Sequence, residues 1–143
     1  MIYYFTGQPG AGKTTLAELL YAPGDIHIDG DDIREIFNNK DYSEKGRKLN
    51  VQRAHDIAQF MDSKGFDVII SLVSPFRELR DELKSKTEMV EIYVHTTEDR
   101  GKNHYHVKGY EPPFENFIDI DTTNEEVLKT RDKLMKQLWG IYK

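Results

Sequence analysis

Residues 7–15 read Gly7-Gln8-Pro9-Gly10-Ala11-Gly12-Lys13-Thr14-Thr15. Gly7, Gly12, Lys13 and Thr14 stand at the fixed places of G-x-x-x-x-G-K-[ST], a loop that cradles phosphate. Glycines at 7, 10 and 12 let the backbone wrap closely with its N–H groups inward, and a following helix offers its positive end to an anion. The strand-prone run Ile2–Phe5 precedes the loop and the helix formers Lys13–Leu20 follow it, which is the context the motif requires. A triphosphate is the natural guest. All nine residues, Gly7, Gln8, Pro9, Gly10, Ala11, Gly12, Lys13, Thr14 and Thr15, are expected to bind ATP. Lys13 would reach the β- and γ-phosphates, and the Thr14 hydroxyl would complete the shell of a Mg²⁺ ion.

Moving outward, the strand–turn–helix unit repeats. IHI (Ile26–Ile28) ends in DGDD and is followed by two helical stretches, DDIREIF and then a longer one capped by Ser43 and stopping at Gly65. FDVII (Phe66–Ile70) reads as a buried strand, PFRELRDELKSK as a charged helix opened by Pro75, and MVEIYV (Met89–Val94) as another strand. Residues 96–116 lose all periodicity and form a long polar loop, expected to act as a lid. FIDID is the last strand, and an amphipathic helix follows in which Thr123 and Glu126 fit a capping box. The alternation predicts an α/β fold: a five-stranded, mostly parallel sheet with helices on both faces, in one domain over residues 1–143. Ligands in such sheets bind beyond the carboxyl ends of the strands, where every unusual polar cluster of this chain falls.

Composition narrows the functions. With 143 residues, 38% of them hydrophobic, the chain can bury one core. A net charge of −5 argues against a nucleic-acid partner, and the absence of cysteine excludes disulfides, thiolate metal sites and a cysteine nucleophile. The apolar start leads straight into the glycine loop, and no apolar run approaches the ~18 residues that span a bilayer, so a cytoplasmic protein without a membrane partner is expected. Small nucleotides are the expected partners, and a homodimer stays open.

The third strand ends in Ser71, where many proteins with this loop place an aspartate that supports the metal. The missing carboxylate is expected from Asp29-Gly30-Asp31-Asp32. One of these could orient an attacking hydroxyl, accept its proton and help hold Mg²⁺; the plainer alternative is that they cap the helix. A hydroxyl acceptor means a kinase. Arg34, Arg47, Arg53 and Arg77 follow the strand tips and could clamp an anionic acceptor, although each alone also fits a solvated helix face. His104 and His106 lack a carboxylate at ligand spacing and read as loop residues.

GQPGAGKTTLA, IDGDDIR, YSEKGRKLNVQRAHDIAQFM, VIISLVSPFR and VEIYV together resemble the adenylylsulfate kinases, a family of P-loop kinases. The resemblance implies the P-loop kinase fold and transfer of the ATP γ-phosphoryl group to the 3′-hydroxyl of adenosine 5′-phosphosulfate. It implies Asp31 as the catalytic aspartate, acting with Lys13 and with Thr14 and Asp31 at the metal, while the positive charge of the lid-like loop puts Arg100 on ATP. Arg34, Arg47, Asn50, Ser74, Phe76 and Arg77 are implied on the substrate, and Asp29, of the DGDD cluster, and Lys102, of the lid-like loop, are expected there too. Two departures stand out. The family's Asp-Arg-x-x-Asn-Ile-Arg-Arg is here Gly46-Arg47-Lys48-Leu49-Asn50-Val51-Gln52-Arg53, and the family's lid motif is shortened, echoed by Glu98–Lys102 and VKGYEPPFE. A kinase for another hydroxyl and a nucleotide-binding module without turnover remain alternatives.

Overall fold

The computed structural model describes residues 1–142. Its strands are β1 (Ile2–Thr6), β2 (Ile26–Asp29), β3 (Val68–Leu72), β4 (Met89–His95) and β5 (Phe117–Asp121). Its helices are α1 (Lys13–Leu20), α2 (Gly30–Ile36), α3 (Glu44–Ser63), α4 (Arg77–Lys86) and α5 (Val127–Tyr142), with a single 3₁₀ turn at Asn103–Tyr105. The strands lie in the order β2-β3-β1-β4-β5, and every pair is parallel, where the sequence suggested a mostly parallel sheet.

Alternation along the strands builds two apolar layers. Phe5, Ile69, Ile92, Val94 and Ile120 meet Leu16 and Ala17 of α1 and Leu134 and Leu138 of α5. Ile2, Tyr4, Ile70 and Leu72 face the other way onto Ile33, Ala54, Ala58 and Leu83, which come from α2, α3 and α4. With both faces covered, the strands' carboxyl ends form the open edge of the sheet.

Three boundaries differ from the sequence expectation. β3 starts at Val68, because Phe66 is exposed and its N–H bonds Met61 O to finish the turn after α3. α4 starts at Arg77, with Phe76 in extended conformation before it, not at Pro75. The Thr123–Glu126 capping box does not form, because Thr123 Oγ1 instead accepts the N–H of Thr97, and α5 begins only at Val127. The hydroxyl that should close a helix instead ties the chain just after β5 to the start of the long loop.

Candidate active site

The glycine loop is shaped by close backbone approach. A side chain at Gly7 would place a Cβ 2.1 Å from the Val94 carbonyl oxygen, so only glycine lets β4 pass beside the loop. Lys13 is buried, its Nζ donates to Gln8 O at 3.0 Å, and burial pushes its ammonium down to about 8. Thr14 and Thr15 are exposed at the start of α1. This donor set suits a nucleotide and its magnesium: glycines at 7, 10 and 12 all at positive φ, a desolvated cation, a free Thr14 hydroxyl, and the exposed Asp31 carboxylate two strands away. A cavity of about 340 Å³ opens beside the loop, bounded by Gly12, Leu16, Arg100, Thr122 and Thr130.

Residues 96–116 are folded over that loop in two unlike limbs. The outbound limb lays Arg100 on the glycine loop: Nη1 donates to Gly10 O at 3.1 Å, to Ala11 O at 3.3 Å and to Thr122 Oγ1 at 3.1 Å. Glu98 pairs with the same guanidinium at 2.7 Å, and Lys102 lies above Gly10. The return limb is fastened to the body. Gln8 Nε2 donates to Val107 O at 3.0 Å while Val107 N donates to Gln8 Oε1 at 2.9 Å, and Tyr110, its hydroxyl pushed up to about 12 by burial, bonds Thr6 Oγ1 at 2.8 Å. The segment expected to act as a lid thus has an outbound limb resting on the glycine loop and a return limb hydrogen-bonded to Gln8 and Thr6.

At the tip of β2, Asp29 is the N-cap of α2, its Oδ1 accepting from Asp31 N at 2.8 Å and Asp32 N at 3.1 Å. That cap leaves the exposed Asp31 carboxylate facing outward at the tip, with no hydrogen-bond partner among the described residues. Arg34 is engaged within its own segment: Nη1 donates to Asn39 O and Asp41 O, both at 3.1 Å, and its guanidinium lies 4.1 Å from the centre of the Tyr42 ring. Arg77 likewise donates through Nε to Pro112 O at 2.7 Å and stacks on Phe114 at 3.5 Å. The lysine of Lys48 reaches over Phe76. Arg47 and Asn50, three apart on α3, share a helix face, and neither Asn50 Oδ1 nor Ser74 Oγ has a partner although both are buried. Arg53 covers Phe37 instead of reaching the edge. Ser71 is buried, opposite Asp29 in register, and bonded to His27 Nε2 at 2.8 Å.

Sequence reasoning passed over Thr122 and Arg80. Thr122 carried no motif, and Arg80 stood in a helix that reads as a charged outer face. His95 bonds Asp119 at 2.9 Å, and no cluster of metal-ligating residues occurs among the described residues. Nor is any helix there long and apolar enough to cross a membrane.

A glycine loop between β1 and α1, a 2-3-1-4-5 parallel sheet and a row of polar strand tips define a P-loop kinase. The chain belongs to the adenylylsulfate kinase family, whose profile, described as "Adenylylsulphate kinase", matches residues 1–129. The adenylyl-sulfate kinase of Staphylococcus carnosus (strain TM300) is 30% identical over 139 residues, covering 87% of this chain and 70% of that enzyme. The bifunctional enzyme NodQ of Rhizobium sp. (strain N33) is 31% identical over 138 residues, but the chain spans only 21% of its length. In fold, the Mycobacterium tuberculosis APS kinase CysC, solved with AMPPNP and APS, superimposes with a TM-score of 0.75 at 19% identity over 96% of each chain.

Proposed function

We propose that the protein transfers the γ-phosphoryl group of ATP to the 3′-hydroxyl of adenosine 5′-phosphosulfate, giving 3′-phosphoadenosine 5′-phosphosulfate. One observation carries the reading: the strand order puts the Asp29–Asp32 tip and the Lys13 loop on either side of β3, whose own tip is the uncharged Ser71. Neighbouring strands lie ~4.8 Å apart, so the two tips stand roughly 10 Å apart, room for a phosphoryl group between a donor and an acceptor oxygen.

Lys13 neutralises charge on the transferring group. Asp31 orients the hydroxyl and takes its proton, a task for an exposed carboxylate with no internal partner. Mg²⁺, when bound, would be held by the Thr14 hydroxyl and Asp31, and would supply further charge neutralisation. Arg47 and Asn50 hold the acceptor, the unpartnered Asn50 Oδ1 awaiting a donor. Arg34 and Arg77 act at one remove, by holding the Asn39–Asp41 backbone and Pro112 in place. Exposed Tyr42 and Phe114, each backed by a guanidinium, supply flat surfaces that suit a nucleobase better than a sugar acid. Turnover with ATP, Mg²⁺ and a panel of acceptors tests the reading. Adenylylsulfate should give the highest kcat/KM, and a better rate with a plain nucleoside, a nucleotide lacking sulfate or a sugar acid would replace it.

A further inference from the structure

Arg80 is completely buried, an unusual place for a guanidinium, and it makes three directed contacts. Nε donates to Glu91 Oε2 at 2.8 Å, Nη1 to Ser74 O at 2.5 Å and Nη2 to Glu111 O at 2.5 Å. The Glu91 carboxylate balances the charge and is shared with Lys84, whose Nζ also donates to Asn116 O at 2.9 Å. Ser74 belongs to the loop after β3, and Glu111 to the return limb of residues 96–116. The two segments are stitched to each other as well: Glu111 N donates to Pro75 O at 3.1 Å, and Arg77 N donates to Glu111 Oε1 at 3.2 Å. Ser74 has φ of 42°, a left-handed conformation that a serine keeps only when its surroundings hold it.

We propose that Arg80 is a positioning residue for phosphoryl transfer. Through one planar fork it fixes the acceptor loop 73–77 and the return limb 107–116 in a single register, so that only the outbound limb is left to open and close over the nucleotide. The role rests on the acceptor reading given above. A lysine could keep the pair with Glu91, but it cannot present two parallel N–H groups to two carbonyls. In Arg80→Lys, hydrogen exchange of amides 107–116 should rise at least about tenfold, since two charge-assisted bonds are lost, and the acceptor KM should rise by a similar factor. Affinity for a fluorescent ATP analogue should stay within about threefold, because Arg80 holds the return limb at Glu111 while Val107 keeps its own two bonds to Gln8 of the glycine loop. If Arg80→Lys does not fold, Glu91→Gln keeps the volume and weakens the anchor, and the same pattern is expected at reduced size. Unchanged protection of 107–116 in the folded variant would overturn the proposal. So would equal losses of acceptor and nucleotide affinity, the mark of general loosening. Should the wild-type protein fail to turn over adenylylsulfate, the acceptor reading falls, while the exchange measurement still decides whether Arg80 joins the two segments.

Discussion

Lys13, proposed to bind the transferring phosphoryl group, opposes the stability of the fold that carries it. Its burial lowers the ammonium from 10.5 to about 8, so at neutral pH the unliganded fold bears a penalty of roughly 3 kcal/mol for holding this charge. Because the folded protein releases that proton before the unfolded chain does, stability should climb as pH rises from about 8 toward 10.5. ATP binding needs the proton back, so nucleotide affinity should fall over the same range. Lys13→Met should raise the melting temperature of the unliganded protein at pH 7 while cutting turnover by at least ~10²-fold, as expected for loss of one electrostatic contact to the transferring group. Melting curves with and without ATP check both halves, and a Lys13→Met protein less stable than wild type would contradict the assignment. His55 works in the opposite pH range. Buried against the Tyr4 hydroxyl at 2.6 Å, it is held down to about 4 chiefly by desolvation. The unfolded chain takes up the proton first on acidification, so this histidine removes up to about 3 kcal/mol of stability between pH 6.5 and 4. His55→Gln should flatten that acid limb in melts taken across the range, and an unchanged slope would count against a buried neutral imidazole.

The stretch between α2 and α3 gives a physical reason for one departure from the family pattern. A side chain on Gly46 would bring a Cβ within 2.1 Å of Asp41 O, so the acidic residue expected there has no space. Asp41 crosses this point because Arg34 holds its carbonyl, Asn39 Oδ1 accepts its N–H, and its own carboxylate, lowered by the Ser43 hydrogen bonds, accepts Ser43 N at the start of α3. Gly46→Ala should therefore displace Asp41 and with it the Arg34–Tyr42 pair. A backbone clash of this kind is expected to cost about 1–3 kcal/mol of stability and to raise the acceptor KM with little change in ATP affinity. Thermal melts and KM values for both substrates check it. Such crowding was not legible from the residues, since nothing in EKGRK says which backbone passes over it. The glycine loop, the Ser43 cap, the α2 tip and the alternation of strands and helices were legible, because each is written in local turn chemistry or in periodicity.

At the scale of the whole molecule, what escaped the sequence is long-range. Arg80 looked like one charge among several on an outer helix, and only the chain path brings Glu91, Ser74 and Glu111 around it. Residues 96–116 looked uniform, and only the positions of Gln8, Thr6 and Thr122 divide them into a limb resting on the nucleotide loop and a limb fastened to the sheet. The sheet order does the rest, by setting the tip of β3 between the Asp29–Asp32 tip and the Lys13 loop. The central proposal is that a phosphoryl group passes over the tip of β3 to a hydroxyl directed by Asp31. It is tested by supplying ATP labelled in its γ-phosphoryl group, with Mg²⁺ and adenylylsulfate, to the wild-type protein and to Asp31→Asn. Expected is label in 3′-phosphoadenosine 5′-phosphosulfate, formed only with acceptor present and reduced by ~10²-fold or more in Asp31→Asn, the usual scale of a positioned base. Label appearing only as inorganic phosphate, at one rate with or without acceptor and in both proteins, would contradict it.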